Sequence, residues 1–164
     1  MAIVFTAEEV LQMAEQVERN GARFYRHAAE MPFDEGTRHT LLDLAAWEDR
    51  HEETFAGMRA QLSEGEREAT TFDPYHEMPL YLRAMADRRV FDIHTDLTEK
   101  LSGRETMREI LELAIVFEKD SVVFYLGMKD LVPEDVGGPR LDANIKEEMS
   151  HLSLQGGRLA EVAV

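Results

Sequence analysis

The stretch Leu41-Leu-Asp-Leu-Ala-Ala-Trp-Glu-Asp-Arg-His-Glu-Glu-Thr-Phe-Ala-Gly-Met58 decides how this chain folds. Within it Leu41, Leu44, Glu48, His51, Phe55 and Met58 are spaced alternately three and four residues apart, the stripe of a helix that buries one side. Glu48 and His51 interrupt an otherwise apolar seam. Three residues apart, they share one helical face. A lone carboxylate in an apolar core is strongly penalised or takes up a proton, so an inward Glu48 needs a cation or a dense hydrogen-bond network around it.

The same pattern returns 100 positions later. Glu18, Tyr25, Glu48 and His51 recur type for type as Glu118, Tyr125, Glu148 and His151, and Leu11/Leu111, Ala14/Ala114, Phe24/Phe124 and Leu41/Leu141 agree as well. The chain reads as one helical hairpin written twice. Leu11, Ala14, Glu18, Gly21, Tyr25 and Ala28 form one further stripe, and Leu111, Ala114, Glu118, Ser121, Tyr125 and Met128 another. Small residues at 21 and 121 leave space beside the carboxylates. On the last segment Leu141, Ile145, Glu148, Leu152, Leu159 and Val162 are expected to form the apolar side, with His151 one turn from Glu148.

Breakers and caps divide the chain into four long helices, expected over about 6–30, 35–63, 103–131 and 140–162, in a single domain spanning 1–164. Thr6-Ala-Glu-Glu9 has a capping-box pattern, Asp34 is a candidate N-cap, and Ser102-Gly-Arg-Glu105 offers a second box. Val132 to Pro139 reads as a turn, with the final helix starting near Arg140. Between the second and third helices lie residues 64–102, with an amphipathic piece from Leu80 to Arg89 that predicts a short extra helix. A tight hairpin needs no such length. A link returning along a bundle of ~40 Å helices needs at least ~12 extended residues, so the spacing predicts an all-α, ferritin-like four-helix bundle with a long crossover.

Composition narrows the chemistry. The 164 residues hold 33 Asp and Glu against 18 Lys and Arg, a formal net charge of −15, which argues against nucleic acid and against an anionic membrane surface as partners. No cysteine is present, so thiolate catalysis, disulfides and a Cys₄ metal site are excluded from this chain. No signal-peptide pattern or long apolar run occurs, and the expected location is the cytoplasm.

The two hairpins together offer Glu18, Glu48, His51, Glu118, Glu148 and His151, a donor set of four carboxylates and two imidazoles that suits two divalent metal ions. Oxygen-rich donors with two nitrogens and no sulfur favour iron or manganese, and zinc also fits. Two ferrous ions balance four carboxylates, and an added oxide balances the step to two ferric ions, so the set favours a redox pair over a hydrolytic one. No catalytic residue is expected beyond the ligands. Tyr25 and Tyr125 lie on the same faces, about 10.5 Å along the helix from Glu18 and Glu118, and are expected to hydrogen-bond carboxylates from the opposite helices. Glu52, Glu53 and Glu147 lie off the stripe and read as surface charge, His27, His39, His76 and His94 as structural or solvent-facing, and Trp47 as packed between helices.

Through Glu18…Tyr25, Glu48-x-x-His51, Glu118…Tyr125 and Glu148-x-x-His151, about three quarters of the chain resembles the rubrerythrin branch of the ferritin-like diiron proteins. The resemblance implies two iron ions, and an oxidoreductase that reduces hydrogen peroxide or dioxygen or oxidises ferrous iron. An iron-binding or iron-delivery protein without turnover is the alternative. It also allows a homodimer. Rubrerythrins proper usually carry a rubredoxin-like Cys₄ domain, which this chain lacks, so the resemblance implies a separate electron donor. They also tend to have a second glutamate one turn after the ligand on the third helix. Here that position is Ser121, which points to a more symmetrical site.

Overall fold

The computed structural model describes residues 5–68, 98 and 101–162, and these contain five helices: α1 (Ala7–Ala29), α2 (Glu35–Gln61), α3 (Glu64–Glu68), α4 (Met107–Met128) and α5 (Glu134–Glu161). The segment Leu80 to Arg89, with its expected short helix, and His76 and His94 lie outside the described residues. Thr6 caps α1 as its sequence pattern predicts: the Glu9 amide donates to Thr6 Oγ1 at 3.2 Å and the Thr6 amide donates to Glu9 Oε2 at 2.8 Å. Asp34 Oδ1 accepts from the Thr37 amide at 3.0 Å and opens α2.

Two boundaries differ from the sequence reading. Ser102 does bond Glu105, through both its amide and hydroxyl at 2.6 and 2.7 Å, but Gly103 sits at φ 79°, a left-handed conformation through which a helix cannot run. The box that opens α4 is Thr106 with Glu109, one turn later. At the other end, α5 starts at Glu134 and not near Arg140, running through Gly137, Gly138 and Pro139. Gly137 permits this: a Cβ there would stand 2.7 Å from Val132 Cγ1 and 3.3 Å from Met58 Sδ, so its bare backbone packs against both. Burial of Val136 and Leu141 then outweighs poor helix propensity.

Close backbone approaches join α1 to α2 and α4 to α5, then α2 to α5 and α1 to α4; among the described residues none joins α1 to α5 or α2 to α4. The four long helices therefore stand in the ring order α1, α2, α5, α4. The apolar core falls into two parts. One gathers Leu11, Ala14, Phe55, Met58, Phe124, Met128, Leu141 and Ile145; the other gathers Phe24, Ala28, Leu41, Leu44, Ile110 and Ala114. Along α1 and α5 the chain meets the first part before its Glu and the second after it or not at all, whereas α2 and α4 meet them in the reverse order. So α2 and α4 run in the same direction. That shared direction is what a bundle with the expected crossover requires; residues 69–97, which would form it, lie outside the described residues. No helix among the described residues is long and apolar enough to cross a membrane.

Candidate metal centre

Between the two apolar parts all six candidate ligands meet. Glu18, Glu48, Glu118 and Glu148 are each no more than 1% exposed, with His51 at 2% and His151 at 6%. The stripes place them there: on α1, α2 and α4 every residue named in the repeating stripe is buried, and the polar ones occupy the same level. Both imidazoles turn Nδ1 inward. His51 Nδ1 lies 2.8 Å from Glu148 Oε1 and 3.5 Å from Glu18 Oε2, and His151 Nδ1 lies 3.1 Å from Glu148 Oε2 and 3.7 Å from Glu118 Oε1. The rings stack with centroids 5.7 Å apart.

The donors fall into two sets: Glu18, Glu48, His51 and Glu148, and Glu48, Glu118, Glu148 and His151. Within each set one ligand atom per residue lies within 4.8 Å of all the others. Glu48 and Glu148 belong to both. Four of the donor atoms, Glu48 Oε1, His51 Nδ1, Glu118 Oε2 and Glu148 Oε1, are buried without a properly oriented hydrogen bond. Several such atoms facing one another are costly unless a cation gathers them, and three carboxylates with one imidazole per set are donors that iron, manganese or zinc accepts. The residues fit a pair of metal ions.

Electrostatics agree. Burial, followed by the charges of Glu118, Glu148 and Glu18, holds the Glu48 carboxyl well above its ordinary range, and burial pushes Glu118 up to about 7. For the imidazoles burial acts downward, but carboxylates override it: Glu148 and Glu18 raise His51 to about 11, and Glu118 and Glu148 raise His151 to about 9. Burial likewise acts upward on Glu148, yet His151 and His51 bring it below the usual carboxylate range. The cluster gathers positive charge, as protons when no metal is offered.

Both tyrosines reach the opposite hairpin. Tyr25 Oη donates to Glu118 Oε1 at 2.5 Å, and Tyr125 Oη donates to Glu18 Oε1. Each is fully buried, and burial first, then the facing glutamates, raises both phenols well above their ordinary value, so they remain donors. Tyr25→Phe or Tyr125→Phe is expected to lower affinity for Mn²⁺ roughly 10- to 100-fold while the fold persists; isothermal titration checks it, and unchanged affinity contradicts it.

Four residues near the cluster depart from the sequence reading or escape it. Glu147, taken for surface charge, accepts from His51 Nε2 at 2.9 Å although its side chain is 43% exposed. Trp47 does not pack between helices: it is 37% exposed, edge-on to His151 at 5.7 Å, with the Arg50 guanidinium 3.9 Å above its ring. On α5, Leu152 and Leu159 are only partly buried and Val162 is exposed; the inward face carries Asn144 and Gln155 instead. Gln155 Nε2 donates to Tyr25 Oη at 2.6 Å and to Glu118 Oε1 at 2.9 Å. Its signal was its place, four residues beyond His151 on the ligand face. Glu52 pairs with Arg19 on the α1–α2 surface, at 2.5 Å, as an off-stripe charge should.

No protein-family model and no curated protein matches the chain. Among solved structures, a candidate ferritin-like diiron-carboxylate protein of Thermotoga maritima is similar over 97% of this chain and 97% of its own, with a TM-score of 0.72 and 24% identity. The fold is ferritin-like. A buried carboxylate and histidine cluster able to bind metal lies at the middle of this ferritin-like bundle, between the two parts of its core.

Proposed function

We propose that this chain is a rubrerythrin-like non-haem diiron oxidoreductase that reduces hydrogen peroxide or dioxygen or oxidises ferrous iron. The observation that carries the reading is the pair of four-donor sets sharing Glu48 and Glu148, with buried donor atoms that lack a properly oriented hydrogen bond facing one another. Glu18 and His51 would complete one position, Glu118 and His151 the other. Two ferrous ions, when bound, supply two electrons, which with two protons take hydrogen peroxide to two waters, and a separate protein or small-molecule reductant restores them. The chain's own residues hold Glu18 and Glu118 in place through Tyr125 and Tyr25, and surround the cluster with apolar layers that limit water around it. Without cysteine, this chain carries no rubredoxin-like relay.

Anaerobic loading with Fe²⁺ followed by stopped-flow mixing with hydrogen peroxide and with dioxygen tests the proposal. Oxidation that repeats under added reductant supports it. A single stoichiometric oxidation with no turnover would turn the reading to iron binding or delivery.

Metal loading should also depend on pH in a defined direction. Glu118, His151 and His51 bind protons more tightly in the folded chain than in the unfolded one, so their contribution is complete at low pH and is lost as pH rises through about 7, 9 and 11. Between about pH 6 and pH 9 the chelator-treated protein should melt at progressively lower temperature, while the gain from added Mn²⁺ grows because fewer protons compete. Thermal melts with and without Mn²⁺ across that interval measure both; a gain that shrinks as pH rises contradicts the assignment.

A further inference from the structure

The repeat at offset 100 makes the two hairpins pseudo-equivalent, and the structure shows where that equivalence breaks. Positions 47 and 147 each stand behind the histidine of the other hairpin. Glu147 accepts from His51 Nε2 at 2.9 Å, whereas Trp47 presents its ring edge to His151. Among the described residues no carboxylate backs His151. A carboxylate on the outer nitrogen fixes the tautomer, leaves Nδ1 free to coordinate and raises its basicity, an effect worth roughly 10- to 100-fold in metal affinity. Only His51 has it.

Positions 55 and 155 break the symmetry in the same sense. Phe55 packs on the Tyr125 ring with centroids 5.0 Å apart and offers no hydrogen bond, so Glu18 Oε1 accepts from Tyr125 alone. Gln155 instead donates to Glu118 Oε1, which already accepts from Tyr25. Those two donors engage both lone pairs of Oε1 and leave Glu118 only Oε2 to offer a metal, whereas Tyr125 engages one lone pair of Glu18. His151, moreover, lines a surface pocket with Thr40, Asp43, Trp47, Leu154 and Arg158, and Asp43 makes no hydrogen bond to His151.

We infer that the two metal positions are unequal: Glu18 and His51, backed by Glu147, form the tight position, and Glu118 and His151, beside Trp47 and the pocket, form the exchangeable one. This rests on the proposal that the cluster binds metal, and adds to it an order of loading set by residues 47, 147, 55 and 155. The ion that exchanges is thereby the one bordering the pocket.

Single-position variants test it without interference between the two ions. His151→Ala leaves the Glu18/His51 set and His51→Ala leaves the Glu118/His151 set, each with Glu48 and Glu148. Chelator-treated protein is titrated with Mn²⁺ while free Mn²⁺ is followed by electron paramagnetic resonance. H151A should bind one ion about 10- to 100-fold more tightly than H51A, E147Q added to H151A should remove most of that advantage, and W47E added to H51A should supply it. Equal affinities, or the reverse order, overturn the inference. Should circular dichroism show either histidine variant unfolded, E147Q in the otherwise unchanged chain decides: a first binding step weakened about 10-fold or more supports the inference, and an unchanged first step overturns it. Wild-type protein that binds no Mn²⁺ or Fe²⁺ overturns the metal reading itself, a result distinct from two equal sites.

Discussion

Glu48→Gln is expected to cut metal capacity from about two ions per chain to fewer than one, because Glu48 belongs to both donor sets. The same change should raise the melting temperature of chelator-treated protein. Glu48 is 1% exposed, its Oε1 has no hydrogen-bond partner, and Glu118, Glu148 and Glu18 oppose its ionisation. A neutral amide of the same shape needs neither to take up a proton on folding nor to carry that repulsion, and it adds an N–H able to donate to a neighbouring carboxylate. A gain on the order of 1–2 kcal/mol follows, or roughly 2–8 °C for a chain of this size. Opposite signs are the diagnostic: a purely structural carboxylate would lower stability when neutralised and leave metal content alone. Metal analysis by mass spectrometry and a thermal melt in chelator measure the two. An E48Q protein that retains two ions, or melts below wild type in chelator, contradicts the assignment.

The part of the fold legible in the sequence is the part written in periodicity. Three stripes, on α1, α2 and α4, are buried residue for residue because each alternates threes and fours without a break, and type-for-type repetition placed the ligands at one level. The fourth stripe holds at Leu141, Ile145 and Glu148 and fails beyond them, because the inward face of α5 is partly polar. Asn144 and Gln155 occupy positions a hydrophobic count assigns to the exterior, and Leu152, Leu159 and Val162 drew the reading toward the wrong side. Gln155 is buried because it has bonds to make, to Tyr25 and Glu118. Composition hides such residues; register finds them, since 148, 151 and 155 continue the spacing of 48, 51 and 55. Local chemistry misplaced the helix starts in opposite ways. Ser102 has a proper cap partner but is followed by a left-handed glycine, while Gly137, Gly138 and Pro139 look like a turn yet sit in a helix that packing against Val132 and Met58 sustains. The roles of Glu147 and Trp47 were illegible because an exposed residue on one hairpin acts on a histidine of the other, a contact that only the assembled bundle creates.

Gly21→Val should damage stability and metal binding together, and for one steric reason. A Cβ on residue 21 would stand 2.8 Å from Phe117 Cε1, 3.0 Å from Phe117 Cζ and 3.3 Å from Glu48 Cδ. The space that a small residue leaves beside the carboxylates is thus already filled, by an aromatic ring from α4 and by the Glu48 carboxyl that both donor sets share. Ring and carboxyl cannot both stay where they are. Overpacking of this kind costs about 1–3 kcal/mol, against which valine's better helix propensity returns only a few tenths, so the melting temperature should fall by roughly 2–10 °C. Because Glu48 belongs to both donor sets, affinity for both ions should fall as well. Phe117→Leu in the Gly21→Val background separates the two contacts: a shorter side chain relieves the ring but not the carboxyl, so stability should recover while Mn²⁺ binding stays weak. Recovery of both would place the whole effect on Phe117. Gly21→Val with wild-type melting and full metal capacity would mean that Phe117 and Glu48 move aside at no cost, and that the ligand positions are not held by packing at this level of the bundle.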